Sequence, residues 1–186
     1  REGHADLNPW AALIPALLLV LYVVFLAPAF ETVPAGHRGV VLCFGAATGR
    51  VLGEGVYMVV PFIETVEKMD VHVHAEKAKA AAASRDLQNV STEVTLNYRL
   101  DPGKVATIYR DLRRDYIARI IEPSIQEGVK SATAQFDAEE LIVRRAAVKQ
   151  LISEYPDARL KTHGIGVDAV SITDFQFSEE FSRAVE

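Results

Sequence analysis

The sequence has very little cysteine and no excess of positive charge. Cys43 is the single cysteine among 186 residues, which excludes an intrachain disulfide and any metal site built from several thiolates. Acidic side chains number 25 and basic ones 20, for a formal charge of -5. A nucleic-acid-binding protein normally has a basic face of clustered Lys and Arg. We therefore expect no nucleic-acid partner.

Motifs for catalysis are also absent. The sequence has no Gly-rich phosphate loop, no nucleophile elbow and no helix with metal-ligand spacing. Ser84 stands near Asp86 without a histidine partner, which is ordinary turn chemistry. His72 and His74 share one face of a predicted strand, but a zinc site needs a third protein ligand and the neighbouring sequence supplies no obvious one. We expect no enzymatic activity, no cofactor, no metal and no small-molecule substrate.

Charge is missing altogether from one long stretch, residues 10–30. A helix of this length measures about 31 Å, which matches the hydrocarbon thickness of a bilayer. We predict that residues 1–9 form an N-terminal tail and residues 10–30 a transmembrane helix, so that membrane lipid is a partner. The side chains expected to anchor this helix are Trp10, Leu13, Leu17, Leu18, Leu21, Tyr22, Phe25 and Phe30.

Two other interpretations of this stretch remain open. Ala27, Pro28 and Ala29 resemble the cleavage site of a secretory signal, although the apolar run is long and the preceding residues are not net basic. A buried core helix is the second alternative, but it needs a larger apolar partner surface than the rest of the chain offers. The flanking charges do not decide on which side of the membrane the following domain lies.

Residues 31–177 predict an α+β domain of antiparallel strands and helices. Its membrane-proximal part, residues 31–86, is rich in strands, and residues 87–177 combine strands with helices. A loop is predicted at residues 45–49. The strand patterns cover residues 40–44, 65–74, 78–83, 90–100 and 165–177. The last pattern mixes phases, which indicates a bulge or burial on both faces.

Three helical patterns lie between the last two strands. The first begins with Asp101 as N-cap and Pro102 as first helical residue. The second covers residues 117–129, where Pro123 either kinks the helix or marks its start. The third begins at Asp137, whose spacing to Glu140 resembles a capping box, and runs to Pro156. Residues 178–186 predict the start of a further C-terminal helix, and we expect both chain ends to continue in a longer protein.

Residues 56–63 form an apolar octet that is too short to span a membrane. Such a run is either core or a surface that lies against the lipid headgroups beside the predicted helix. Pro61 disfavours a central strand, and the sequence leaves both interpretations open. The candidate residues for contact with the membrane surface are Val56, Tyr57, Met58, Val59, Val60, Phe62 and Ile63.

Two groups of charged residues are candidates for contacts. The first lies at the start of the third helix and suits polar contacts between neighbouring copies of the chain; it consists of Asp137, Glu139, Glu140, Arg144, Arg145 and Lys149. The second is a basic stretch that favours a solvated face over contact with anionic headgroups or an acidic neighbour; it consists of Arg110, Arg113, Arg114 and Arg119.

Several separated segments resemble the prohibitins. They are AGHRGVV at residues 35–41, GEG at 53–55, VPF at 60–62, SRDLQNV at 84–90 and TAQFDAEEL at 133–141. Residues 164–186 resemble the same family and its wider stomatin, flotillin and prohibitin superfamily, known by the SPFH or band 7 domain. The resemblance extends over residues 34–186. Its specificity comes from the order of the segments behind an N-terminal anchor.

The resemblance implies a membrane-anchored SPFH domain followed by a long coiled-coil helix that opens at residues 178–186. It also implies assembly into a large homo-oligomeric ring or cage that acts as a scaffold for a membrane microdomain, without enzymatic activity. An association with a membrane-bound AAA protease is a further implication. The long anchor and the stretch at residues 71–83 depart from mitochondrial members, which indicates a prokaryotic cell membrane, with the mitochondrial inner membrane as the alternative.

Overall fold

The structure, a computed structural model, describes residues 9–26 and 29–177. Its first element, α1, covers Pro9–Leu26, which is 18 residues long and contains Pro15. The side chains of residues 13–23 are exposed, and that of Leu17 is 65% accessible. Within the described residues, none of the helices combines the length and the apolar character that crossing a membrane requires.

The predicted span extends further than the helix does. Ala29–Val33 form a strand, β1, whose backbone groups pair with those of Gly55–Val59, the strand β4. The prediction of a helix up to Phe30 is therefore wrong, because this pairing satisfies the backbone in an extended conformation. Residues 27–28 and the side chains of Trp10 and Phe25 lie outside the described part of the chain.

Strands, then helices, then strands follow along the chain, which confirms the α+β class. The other strands are His37–Cys43 (β2), Ala46–Leu52 (β3), Glu64–Asp70 (β5), His74–Ala83 (β6), Asn89–Leu100 (β7), Ile165–Ile172 (β8) and Gln176–Phe177 (β9). The other helices are Val105–Leu112 (α2), Glu122–Thr133 (α3), Ala138–Val143 (α4) and Arg145–Thr162 (α5), with a π-helical turn at Ile117–Ile121.

The strands pair antiparallel in three sheets. One contains β1 and β4, the second has the order β3-β2-β5, and the third has the order β6-β7-β8 with β9 also on β7. The register between β7 and β8 shifts at Asn97 and Tyr98. This irregularity lies before Val170, whereas the phase of the pattern changes between Ile172 and Phe175, where the chain leaves β8 and later enters β9. The prediction of one strand over residues 165–177 is therefore wrong.

Two apolar clusters form the core. In the larger one, α3 packs on β6 and α5 packs on β8, and Leu96, Ile125 and Ile152 are fully buried there. Every second residue of β7 points into this cluster, as its alternating sequence predicts. The smaller cluster joins the β1–β4 pair to the second sheet and consists of Val33, Val41, Leu52, Val59 and Val66.

One predicted helix start is confirmed, and the proline of the second helical pattern lies inside a helical stretch. Pro123 belongs to the first turn of α3, but the π-helical turn at Ile117–Ile121 leads directly into α3 with helical backbone at both Ile121 and Glu122, so this proline does not mark a start. The capping box before α4 is present, with the Asp137 side chain accepting from the main chain and that of Glu140 reaching back to the Asp137 N–H. Local sequence chemistry therefore sets the start of α4.

Three local predictions are wrong because tertiary pairing outweighs local preference. Residues 45–49 largely belong to β3, which pairs with β2. The helix predicted from Asp101 begins at Val105, after a turn. The third helix is divided into α4 and α5, and Pro156 lies inside α5. Pro156 is buried close to Gly128 of α3, and this packing offsets the hydrogen bond that the proline removes.

Asp86 ties the loop between β6 and β7 to the start of α4. Its Oδ1 accepts hydrogen bonds from the Ser84 hydroxyl at 2.5 Å and from the Ala138 N–H at 3.1 Å. The Ser84 bond is the largest cause that lowers the pKa of the Asp86 carboxyl. Ser84 is only 3% exposed, so its hydroxyl serves this turn, as the sequence indicates.

We expect Asp86→Asn to be less stable than the unchanged chain at neutral pH. The folded-state pKa of Asp86 is lowered, so its stabilising contribution is present above the unfolded value of about 3.9 and is lost as the pH falls through the folded value. Thermal unfolding followed by circular dichroism should therefore give midpoints that differ at neutral pH and converge below about pH 4. A difference between the two midpoints that does not change with pH would contradict the stabilising role of the ionised Asp86 carboxylate.

Candidate membrane-facing surface

The outer side of the β1–β4 pair is apolar. Phe30 lies directly opposite Met58 in the ladder, and residues paired in this way share a face. Phe30, Val56 and Met58 are 69, 64 and 60% exposed. The alternate residues Val33 and Val59 are buried in the smaller core cluster. One face of this pair therefore packs against the domain, and the other presents apolar side chains to the surroundings.

Two phenylalanines extend this surface at neighbouring turns. Phe44, between β2 and β3, is 80% exposed, and Phe62, after β4, is 76% exposed. The Phe44 N–H donates to the Ile63 carbonyl at 2.9 Å, which joins the two turns. Both residues have positive φ, 47° for Phe44 and 66° for Phe62, a region unfavourable for bulky side chains. Strain of this kind concentrates at functional sites.

We call this surface the apolar face. Its members share high exposure and a position on β1, β4 or the adjoining turns, and they are Phe30, Phe44, Val56, Met58, Val60 and Phe62. Glu31 alternates with Phe30 along β1 and forms an ion pair with Lys68 at 3.2 Å on the opposite side of the strand. An exposed apolar surface of this kind is typical of a membrane or protein contact site.

The apolar face lies close to the end of α1. Leu26 is the last residue of α1 and Ala29 the first of β1. Three peptide units span at most about 11 Å, so β1 must begin near the end of this helix. Any membrane that holds the end of α1 therefore also lies within reach of the apolar face.

Some residues of the octet at residues 56–63 are buried in the core and others are exposed. Each of the two interpretations that the sequence left open therefore holds for part of the octet. Val59 is 5% exposed, so its predicted contact with the membrane surface is wrong, because the alternation of β4 turns it into the core. Tyr57 and Ile63 are half-buried. The remaining octet members named for this contact are exposed. The sequence missed Phe44, which it placed at the end of a buried strand and not in a turn.

Comparison with known proteins identifies the domain. A model of the SPFH domain / Band 7 family matches residues 31–186. The chain belongs to this family. It is similar to Prohibitin 1 of Drosophila melanogaster, 35% identical over 161 residues, which are 85% of this chain and 58% of the relative. The predicted resemblance to the prohibitins is thus confirmed, while a prokaryotic type stays a prediction.

Two further relatives of this SPFH chain belong to yeast and a nematode. Prohibitin-2 of Saccharomyces cerevisiae is 34% identical over 178 residues, 95% of this chain and 57% of the relative. The Mitochondrial prohibitin complex protein 1 of Caenorhabditis elegans is 31% identical over 159 residues, 85% of this chain and 58% of the relative. The chain therefore spans less than two thirds of the length of these relatives.

Most of the charged residues predicted to join neighbouring SPFH copies have partners within the chain. Arg85 binds the carboxylates of Asp137 and Glu140. Arg144 pairs with Glu140 at 3.4 Å, and Arg145 pairs with Asp174. Glu139 and Lys149 are exposed and form no ion pair among the described residues. Four members of the set therefore form ion pairs within the chain, and contact between copies stays a prediction for the set.

An exposed apolar pair stands next to these charges. Ile142 and Val143, at the end of α4, are 56 and 76% exposed. No pattern in the sequence distinguishes them, because they follow buried Leu141 without a break in hydrophobicity. On a short helix whose buried side is Ala138 and Leu141, they form its outward surface. This outward end of α4 is a candidate contact between SPFH domains.

Proposed function

We propose that this SPFH-family protein is a membrane-anchored scaffold that assembles with copies of itself into a large ring or cage and organises a patch of the membrane. The observation that carries the proposal is the apolar face. Its six exposed side chains lie next to a charge-free helix, so one side of the domain is suited to lipid while the rest carries charges.

Helix α1 contributes a single-pass anchor in this proposal. The absence of charge from this stretch and the exposure of residues 13–23 support it, because apolar side chains without a protein partner are stable in lipid. The membrane is that of a prokaryotic cell, with the mitochondrial inner membrane as the alternative. Both orientations of the domain are compatible with the flanking charges.

Self-assembly is supported by two observations. The nematode relative is named as a protein of a prohibitin complex, and Ile142 and Val143 give each copy an apolar contact surface outside the core. In a closed ring every copy repeats the same contact, so weak single contacts add up. The family resemblance adds a coiled coil that begins at residues 178–186, with a continuous apolar seam between helices.

The mass of the protein extracted from its own membrane with mild detergent tests this function. We expect a large homo-oligomer in light scattering and ring-shaped particles in negative-stain images. A monodisperse monomer would overturn the scaffold proposal. Hydrolytic activity that is lost on changing Ser84 or His72 would instead indicate an enzyme, which we do not expect because Ser84 serves a turn.

The alternative function is that of a regulatory subunit that encloses or restrains a membrane-bound AAA protease. It uses the same anchor and the same apolar face, so the domain itself does not distinguish the two functions. Purification of the detergent-extracted assembly does distinguish them. A protease present in a fixed ratio to this protein favours the regulatory function, and rings without a protease favour the scaffold.

A further inference from the structure

A cluster of histidine and aspartate lies away from the apolar face, where the second sheet meets the third. His37 opens β2 and Asp70 closes β5, and the two residues are directly paired in the ladder. His72 follows Asp70 by two positions. One ligand atom from each of the three side chains lies within 4.8 Å of the other two. The sequence showed only His72 and His74, and pairing between β2 and β5 supplies the missing ligand.

The hydrogen bonds around the cluster fit a metal site. His37 Nδ1 lies 3.1 Å from the Ala35 carbonyl; the tautomer that donates from Nδ1 leaves the Nε2 lone pair for a metal ion. A metal-binding histidine usually donates its other N–H to a carbonyl or carboxylate in this way. Asp70 Oδ1 lies 2.7 Å from His72 Nδ1, so these two atoms already share one position for a proton or a cation.

His74 supports the aspartate from the other side. Its Nε2 atom is 3.3 Å from Asp70 Oδ2, yet this buried nitrogen forms no hydrogen bond of acceptable geometry. An imidazole nitrogen and a carboxylate oxygen this close both offer lone pairs unless a proton lies between them. His74 is therefore suited to orient the carboxylate, with one oxygen towards His74 and the other towards His72.

The turn before β2 leaves room for the His72 ring. A Cβ atom at Gly36 would lie 1.8 Å from Cε1 and 2.0 Å from Nε2 of His72. The φ angle of Gly36 is +71°, which also favours glycine. The rings of His37 and His72 meet edge to face with centroids 6.0 Å apart. Only a residue without a side chain at this turn allows the two rings to share one site.

We propose that His37, Asp70 and His72 bind one divalent transition-metal ion, with zinc as the best fit, and that His74 is a positioning residue. Two imidazoles and a carboxylate form a ligand set that zinc accepts, with a water in the fourth position. Zinc bonds of about 2 Å require the His72 and Asp70 ligand atoms to separate to about 3.3 Å. The His72 side chain, which would make this shift, is 60% exposed.

The metal ion would brace the junction of the two parts of the domain. His37 and Asp70 belong to the second sheet, whereas His74 opens β6 of the third sheet. Residues 71–73 are the connection between them and contain the ligand His72. An ion that binds the folded state alone stabilises it in proportion to its concentration. The proposal therefore concerns rigidity between the sheets and not catalysis.

Metal titration of the purified, tag-free chain in detergent, stripped with chelator beforehand, tests the proposal. We expect one Zn²⁺ per chain by elemental analysis, a visible absorption band with Co²⁺, and a thermal midpoint that rises by several degrees with excess Zn²⁺. His37→Gln and His72→Gln should each weaken Zn²⁺ binding by more than about tenfold, and His74→Gln by about tenfold, as for residues that orient ligands.

His163→Gln is the matched control, because His163 lies at the end of α5 outside the cluster, and it should bind as the unchanged chain does. NMR of the histidine rings provides a readout that needs no variant, since Zn²⁺ should shift the ring signals of His37 and His72 but not of His163. No uptake of Zn²⁺ and Co²⁺ by the unchanged chain would overturn the site. Equal affinity of His72→Gln and the unchanged chain would overturn it too.

Discussion

We expect Met58→Asp combined with Phe62→Asp to reduce binding to phosphatidylcholine vesicles at least about tenfold in a chain of residues 29–186. Each full transfer of such a side chain from water to an apolar environment is worth about 1.5 to 3 kcal/mol. A tenfold change in affinity corresponds to about 1.4 kcal/mol. Partial insertion of both side chains into the membrane is therefore sufficient to produce the expected loss of binding. The short chain omits α1, whose own insertion would mask the difference. Vesicle flotation measures the effect.

Leu87→Asp is the matched control for this experiment. Leu87 is also highly exposed, at 83%, but it lies in the loop between β6 and β7, outside the apolar face. Its replacement should leave vesicle binding unchanged, and circular dichroism should show that all the chains remain folded. Equal binding by the double variant and the unchanged chain would contradict the membrane contact. Equal losses in the double variant and Leu87→Asp would do so as well, because they would indicate unspecific adhesion.

The octet at residues 56–63 illustrates what a sequence can predict about such a surface. Its hydrophobicity identifies an apolar segment. The side chains of Val59 and Val60 are equally hydrophobic, however, so hydrophobicity alone does not tell the buried residue from the exposed one. The difference between them arises from the pairing of β1 with β4, which turns Val59 into the smaller core cluster and leaves Val60 exposed. This pairing depends on residues that the sequence analysis assigned to a transmembrane helix, so its register was not predictable.

The strand β7 and the helical period of α2 were predictable because their apolar residues recur at a regular spacing. β7 alternates over twelve residues, and the apolar spacing of α2 follows the helical period, so local patterns determine both. The division between α4 and α5 at Arg144 has no such pattern. Arg145 pairs with Asp174, a residue distant in sequence, and contacts of this kind are not contained in any local window.

The candidate metal cluster also depends on contacts between residues that are distant in sequence. His72 and His74 are recognisable as a pair because they lie two positions apart, but a zinc site needs a third protein ligand. Asp70 is in fact adjacent, but its role depends on His37, which lies more than thirty positions earlier and is brought opposite by the β2–β5 ladder. A ligand set divided between two strands requires the register before it can be recognised.

The charges around α4 show why the expected contact between copies has to be reconsidered. Reversing Arg144 and Arg145 would break the ion pairs with Glu140 and Asp174 as well as any contact with a neighbour. An effect on assembly would then be mixed with an effect on the domain itself. Exposed ion pairs are also worth only about 0 to 1 kcal/mol each. Ile142 and Val143 make no such internal pairs and offer larger apolar area to a partner.

We therefore expect Ile142→Lys combined with Val143→Lys to convert most of the proposed rings into smaller species, in a chain that carries the proposed coiled coil. Two lysines at the end of α4 are compatible with the helix dipole, so the domain should keep its unfolding midpoint. Asp157→Lys is the control, because it changes the net charge by the same two units at an exposed position of α5. Sedimentation velocity and negative-stain images compare the three chains.

The same measurements on residues 1–186 separate the contribution of the domain from that of the proposed coiled coil. A single anchor helix gains little from meeting another in lipid, since lipid chains solvate Leu and Val equally well. One apolar pair per copy on α4 gives a weak contact, whereas a coiled coil adds a continuous seam. We expect residues 1–186 to sediment as small species. Rings of equal size from this shorter chain would show that the SPFH domain closes the ring without the coil.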